Sequence, residues 1–204
     1  MFYMIIKRIF DIICGIIGCI LLIPIALIIK IAYMCTGDFH RIIYSHIRIG
    51  KNGKPFRMYK FRSMVTDADE VLVELLKQKK YKDEWDKYQK LSNDPRITRV
   101  GRVIRHGSLD EFPQFVLVLI GKLSMIGPRP LVPNELEEHG GNPEIYNSVK
   151  PGITGWWAVN GRSAKDYKER LDLEYYYIKN RSLKLDTKIF FRTFKVIKSH
   201  EGAK

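Results

Sequence analysis

Two adjacent carboxylates, Asp110 and Glu111, stand in a stretch dense in fixed cations and stiff turns, residues 94–130, DPRITRVGRVIRHGSLDEFPQFVLVLIGKLSMIGPRP. Arg96, Arg99, Arg102 and Arg105 recur every third residue ahead of the pair, and Arg129 follows it, held between Pro128 and Pro130. Phosphoryl transfer asks for this composition. A carboxylate attacking a phosphate meets like-charge repulsion unless guanidinium, ammonium or metal cations neutralise the oxygens. Adjacent helical positions point ~100° apart, so the two acids suit separate tasks better than a shared proton. One would attack phosphorus, and the other would bind a hard cation such as Mg²⁺ through oxygen. The prolines restrict the backbone on both sides of Arg129, which lowers the entropy lost when it clamps a phosphate.

Each feature has a plainer alternative. Ser108-Leu109-Asp110-Glu111 has the S-x-x-E form of a capping box, and Arg129 alone is a solvated arginine in a surface turn. Pro113 opposes a helix capped by Ser108, because it would fall past the first turn. A helix starting at Asp110 or Glu111 removes the conflict and leaves both acids at an N-terminus that attracts phosphate. The concentration of these features in one short segment favours a site.

The elements that must position these residues are legible to different degrees. Residues 43–49 and 55–62 are rich in β-branched and aromatic types and flank Lys51-Asn52-Gly53-Lys54, the signature of a hairpin turning at Asn-Gly. On an extended strand Lys60 and Arg62 project from one face and would grip a single anionic group; a solvated basic edge is the alternative. Residues 67–91 have helical periodicity, with Val71, Leu72, Leu75 and Leu76 as the stripe. Residues 112–120 are an apolar helix or a buried strand, and 128–133 a rigid, turn-rich linker. Helices are expected over 165–181 and 183–198. The second sets Leu185, Ile189, Phe190, Phe194 and Ile197 against Lys184, Lys188, Arg192, Lys195 and Lys198, which suits a membrane surface or a core-packed helix with a basic outer face.

The N-terminus reads as membrane-embedded. Residues 12–29 carry no charge and reach the ~18 apolar residues at which a membrane helix is the default reading. No small-residue cleavage site follows, which argues against a secretory signal. Lys7 and Arg8 precede the run and Lys30, Arg41 and Arg48 follow it, so the positive-inside rule places both ends in the cytoplasm. A bend at Pro24 would reconcile them as a re-entrant hairpin, with a kinked span as the alternative. Asp11 lies at i, i+3 from Arg8, and the two are expected to neutralise each other at the interface.

Over 204 residues there is room for one ordinary domain beside the apolar segment. A net charge of +13 implies an anionic partner: nucleic acid, an acidic membrane or a phosphorylated small molecule. Cys14, Cys19 and Cys35 are odd in number and lack metal-ligand spacing, which suggests neither a disulfide framework nor a zinc site and reads as packing residues in a reducing compartment.

Taken in order, Lys60-Phe61-Arg62-Ser63-Met64, Asp94-Pro95-Arg96-Ile97-Thr98, Gly101-Arg102, Ser108-Leu109-Asp110-Glu111 with Pro113-Gln114, Leu123-Ser124-Met125-Ile126-Gly127-Pro128-Arg129-Pro130 and Pro151-Gly152-Ile153-Thr154-Gly155-Trp156 with Gly161-Arg162 resemble the monotopic polyprenol-phosphate phosphoglycosyl transferases, a bacterial sugar transferase family. The resemblance covers nearly the whole chain. It implies an α+β, mainly helical fold, with a re-entrant helix-break-helix over 1–36 broken near Pro24. A small catalytic domain over 37–204 would follow, carrying a short β-hairpin and interfacial amphipathic helices at the cytoplasmic face of the bacterial inner (plasma) membrane. The implied reaction moves a phospho-sugar from a nucleoside diphosphate sugar, usually a UDP-sugar, to undecaprenyl or another polyprenyl phosphate, and releases the nucleoside monophosphate. It would run by ping-pong through a covalent phosphosugar on Asp110, with Glu111 holding Mg²⁺. Lys60, Arg105 and Arg129 are the candidate phosphate contacts and Gln114 supports the site; Arg62, Thr154 and Arg162 are candidates for the nucleotide.

Three departures from the family pattern stand out. Ile23 occupies a position before the proline where several members carry Ser. Trp156-Trp157-Ala158 stands where W-A-Q is common. The additional membrane helices of a larger subfamily are not in this sequence, which points to a minimal form. No nucleic acid is expected as a partner, an anionic lipid membrane is, and homo-oligomerisation is left open. A membrane-tethered basic nucleic-acid-binding module or an adaptor is the competing class, and it leaves the Asp-Glu pair without a role.

Overall fold

The computed structural model describes residues 2–88, 91–161 and 166–199. It is mainly helical, with two small two-stranded sheets. The apolar run forms a single helix, α1 (Phe2–Cys35), whose helical backbone continues through Pro24 in place of the helix-break-helix expected there. One stripe, Asp11, Gly15, Gly18, Ile29 and Tyr33, is buried against the rest of the chain. The opposite face stays open, with Ile23 73% and Ile28 65% exposed.

Polar bonds stitch the first turns of α1 to the body. Arg8 donates through its two terminal nitrogens to the carbonyls of Val118 and Leu119 at 2.9 and 2.7 Å. Asp11 accepts from the Ser124 hydroxyl at 3.0 Å and the Met125 N–H at 2.8 Å. Lys7 donates to the Ile126 carbonyl at 2.9 Å and to Asp186 at 2.8 Å. The expected Arg8–Asp11 partnership is thus replaced by tertiary bonds. A helical i, i+3 pair contributes only tenths of a kcal/mol, whereas buried backbone groups left without partners cost more.

The hairpin forms as expected. β1 (Ile43–Ile49) pairs antiparallel with β2 (Pro55–Phe61), Ile49 opposite Pro55 and Ile43 opposite Phe61. The connection takes left-handed backbone at Asn52 and Gly53, φ 58° and 71°. The single helix expected over 67–91 is instead α2 (Ala68–Leu75) and α3 (Lys79–Tyr88), separated by a turn at 76–78.

The arginine-rich segment is α4 (Arg99–His106), capped by Thr98, whose hydroxyl accepts the Gly101 N–H at 2.8 Å. Residues around Phe115 form α5 (Gln114–Leu119), which settles the helix-or-strand alternative. β3 (Ser124–Ile126) and, beyond α6 (Glu135–Glu138) and α7 (Pro143–Tyr146), β4 (Gly152–Thr154) make a parallel pair that the sequence did not suggest. A Cβ on Gly152 would lie 2.1 Å from the Gly127 nitrogen, so this approach requires glycine.

The last two helices agree closely with expectation: α8 (Tyr167–Asn180), opened by an Asp166/Glu169 capping box, and α9 (Leu183–Ser199). In α9 the core-packed alternative is seen, since Ile189 is fully buried, while Phe191 and Phe194 are exposed beside the lysines.

The main core gathers Leu117, Val118, Leu123, Ile126, Tyr177 and Ile189. A second cluster joins Ile29 and Tyr33 of α1 to Phe61, Ile104, Leu109 and Phe112. The three cysteines are unbonded, Cys35 exposed and the other two half-buried.

Candidate active site

The second cluster places the carboxylates. Leu109 and Phe112, on either side of the acid pair, pack against the buried cluster of Ile29, Tyr33, Phe61 and Ile104, which Leu22, Ile25 and Ala26 of α1 also cover. Asp110 and Glu111 themselves sit in a single 3-10 turn, Leu109–Glu111. The capping box is not formed. Ser108 takes left-handed backbone, φ 52°, with no side-chain cap bond, and α5 begins only at Gln114 with Pro113 as its N-cap. Pro113 has no N–H to give, so the chain makes the tight turn first and the helix after it.

Lys60 is delivered by β2. Phe61 is 1% exposed in the second cluster, so by strand alternation Lys60 points the other way, toward the acids. Its amine lies 3.0 Å from Glu111 and 3.4 Å from Asp110. Burial, the largest influence, raises the Asp110 carboxyl above the ordinary range; Lys60 pulls it back, the Glu111 charge pushes it up and Arg105 lowers it. Arg105 is brought near by α4, whose Gly101 touches the chain at Ser63. A Cβ there would lie 1.9 Å from the Ser63 carbonyl, so the helix packs backbone to backbone and Arg105, one turn on, donates to the Ser63 hydroxyl at 2.8 Å.

Lys60 and Arg62 do not act as a pair. Arg62 is 8% exposed, stacks 4.3 Å over the Tyr33 ring, and donates to Asp38 and to the Arg41 and Met64 carbonyls. It fastens the hairpin to the end of α1.

Arg129 is exposed, between buried Pro128 and Pro130. Its N–H donates to Glu174 at 2.9 Å, its carbonyl accepts from the Tyr146 hydroxyl at 2.9 Å, and its guanidinium lies 5.4 Å from the Trp157 ring. His46 feels the charges of both Arg129 and Lys60. Burial first, then the charges of Arg48, Lys60 and Arg129, push its imidazole down to about 4, so it is neutral at physiological pH. It accepts from Arg48 at 2.9 Å, and Arg48 also donates to the Pro130 carbonyl at 3.2 Å. Burial and the neighbouring Arg129 push Arg48 down to about 10. Lys60 and Arg105 thus attend the carboxylates, while Arg129 stands with Arg48 and Arg170 in a second cationic group whose charge reaches His46; cations of both groups suit phosphate oxygens.

Gln114 is 2% exposed at the start of α5. Thr154 is buried on β4, its hydroxyl 2.8 Å from that of Thr193 and its carbonyl accepting the Gly127 N–H. Arg162 lies outside the described residues.

Sequence reasoning missed His46, Arg48 and Glu174. The first two were within reach: Lys60 faces Tyr44, and alternation along β1 puts His46 and Arg48 on the same face.

Among the described residues no three His, Cys, Asp or Glu side chains gather as a metal site. Mg²⁺ does not require one. It uses one or two carboxylates and fills its remaining positions with water and substrate phosphate oxygens, a demand that Glu111 beside Asp110 fits.

The chain is similar to known proteins over nearly its whole length. The family model for bacterial sugar transferases matches residues 2–200. The undecaprenyl-phosphate galactose phosphotransferase of Salmonella typhimurium is 48% identical over 198 residues, 97% of this chain and 41% of that protein. The UDP-galactose-lipid carrier transferase of Erwinia amylovora is 44% identical, over 97% of this chain and 41% of its own length. The exopolysaccharide production protein ExoY of Sinorhizobium fredii is 38% identical, over 97% of this chain and 87% of its own. The chain spans about two fifths of the length of the first two relatives and most of the third. On the match of nearly its whole length, the chain belongs to the bacterial sugar transferase family.

Proposed function

We propose that this chain transfers a phospho-sugar from a UDP-sugar to undecaprenyl phosphate or a similar polyprenyl phosphate, releasing UMP, in the first membrane step of glycoconjugate synthesis. The observation that carries the reading is the placement of Asp110. The turn that bears it joins, through Leu109 and Phe112, the apolar cluster that Ile29 and Tyr33 of α1 build with Phe61 and Ile104, and the Lys60 amine lies 3.4 Å from its carboxylate. A nucleophile so placed meets a water-soluble donor and a lipid-borne acceptor at one surface. The Salmonella relative is named for undecaprenyl phosphate and galactose, and the Erwinia relative for UDP-galactose and a lipid carrier, which supports this reading.

In the first half-reaction a carboxylate oxygen of Asp110 attacks the phosphorus that bears the sugar. The bond to the bridging oxygen breaks and UMP departs with that electron pair. In the second, a phosphate oxygen of the polyprenyl phosphate attacks the same phosphorus and Asp110 leaves as carboxylate. Lys60, Arg105 and Arg129 hold phosphate oxygens and offset the charge that accumulates there. Mg²⁺, held by Glu111, would supply further charge neutralisation on the donor phosphates. Gln114 supports the turn from its buried position, and Thr154 and Arg162 are kept as nucleotide-side candidates.

The same reading makes 1–36 a monotopic membrane segment and 37–204 the catalytic part at the cytoplasmic face. Both ends of α1 bond to the same body: Tyr3 donates to Asp186 at 3.0 Å and Tyr33 to the Arg62 carbonyl at 2.7 Å. A simple span would carry one end across the bilayer and away from that body. The open apolar face of α1 is the surface lipid would cover. We therefore expect single cysteines near Phe2 and near Asp38 to be labelled only from the cytoplasmic side; periplasmic labelling of either would restore the simple span.

The activity is tested with radiolabelled UDP-sugars and undecaprenyl phosphate. A Mg²⁺-dependent lipid-linked product with at least one donor is expected, and none across UDP-glucose, UDP-galactose and the acetamido-sugars would end the enzyme reading.

A further inference from the structure

Glu174 is 1% exposed in the middle of α8, among Leu171, Tyr177 and Ile178. An apolar side chain of similar volume would pack there without the cost of desolvating a carboxylate. What the carboxylate does instead is specific: one oxygen accepts the backbone N–H of Arg129 at 2.9 Å. The other oxygen has no hydrogen-bond partner among the described residues, and neither do the Trp157 indole N–H and two guanidinium nitrogens of Arg170. Arg129 meets two of these residues, Glu174 through its amide and Trp157 through its guanidinium. Its guanidinium and that of Arg170 lie 5.4 and 5.0 Å from the Trp157 ring, and its carbonyl is held by Tyr146.

We infer that Glu174 is a positioning residue for Arg129, fixing the amide of the Pro128–Pro130 turn so that the guanidinium, resting on Trp157, is aimed at the phosphates of the nucleotide. This rests on the phosphate role proposed above for Arg129. Arg129 is exposed and carries a long side chain, so without the amide and ring contacts it would lose several rotatable bonds' worth of entropy on binding. With them, that loss is met when the protein folds. The sequence carried a trace of this, since Leu171, Glu174 and Ile178 fall at i, i+3 and i+7, which turns a carboxylate toward the core.

The test uses the full chain in detergent with UDP and Mg²⁺ as the probe, so that no turnover intervenes. Glu174→Leu is expected to weaken UDP binding about tenfold and to speed hydrogen exchange at the Arg129 amide. Glu174→Gln retains an acceptor oxygen and should stay within about threefold of wild type, a rescue that a loss of packing would not produce. In an Arg129→Ala background Glu174→Leu should change UDP affinity by less than about twofold. Wild-type affinity in Glu174→Leu, or its full effect persisting without Arg129, overturns the inference. If Arg129→Ala alone binds UDP as wild type does, the phosphate role of Arg129 fails, and with it the purpose assigned to Glu174. Should Glu174→Leu not fold, Glu174→Asp withdraws the carboxylate by one methylene; unchanged exchange at the Arg129 amide would then overturn the inference.

Discussion

Asp110→Asn is expected to lower turnover by about four orders of magnitude or more and to leave no phosphosugar on the protein, because the amide has no anionic oxygen with which to attack phosphorus. The fold should survive. Burial raises the Asp110 carboxyl despite Lys60, so the native state holds the proton more tightly than the unfolded chain does. Stability from that group is complete at low pH and is lost as pH rises through the raised native pKa. Above it the wild type carries an ionised, partly desolvated carboxylate that asparagine does not. At pH 8 the variant should therefore melt at or above the wild-type temperature while being inactive. A marked drop in melting temperature accompanying the loss would mean that Asp110 serves the fold, and full activity would end its role as nucleophile.

Lys60→Met is expected to cost about two to three orders of magnitude in kcat/KM for the donor, the scale on which oriented cations and donors act at developing charge. It should also move the pH profile. The active form of Asp110 is the carboxylate, so activity rises with pH through its pKa, and Lys60 is the strongest influence holding that pKa down. Removing the ammonium must shift the ascending limb to higher pH. Glu111 loses the same partner at 3.0 Å, so Mg²⁺ dependence is expected to change in parallel. A rate loss with an unmoved limb would place Lys60 on the substrate alone. No loss at all would remove it from the site.

What the sequence made legible was local. Asn52-Gly53 imposes a left-handed turn whatever lies around it, and the amphipathic pattern of α9 needs only its own residues. The acid pair stood out for the arginines near it in sequence, yet of these Arg96 pairs with Asp94 while Arg105 acts on Asp110, and the cation in contact with both acids is Lys60 from β2. What escaped depends on contacts between distant segments. β3 and β4 are three residues each and lie far apart in the chain, too short for alternation to register. Arg62 reads as one more surface cation until Tyr33, Asp38 and two carbonyls enclose it. Arg8 and Asp11 look like helical partners until the end of α5 and the start of β3 compete for them. His46 and Arg48 needed the cross-strand register, and Glu174 needed the fold of the Arg129 turn above it.

The central claim is a covalent bond between Asp110 and the phosphorus of the donor, and the mass of the protein reports it most directly. Wild-type chain incubated with an accepted UDP-sugar and Mg²⁺, without lipid acceptor, should gain one phosphosugar. Peptide mapping should place that mass on Asp110, and addition of undecaprenyl phosphate should remove it as lipid-linked product forms. Product formation with no adduct at any time, or an adduct mapped to a different residue, would contradict the claim.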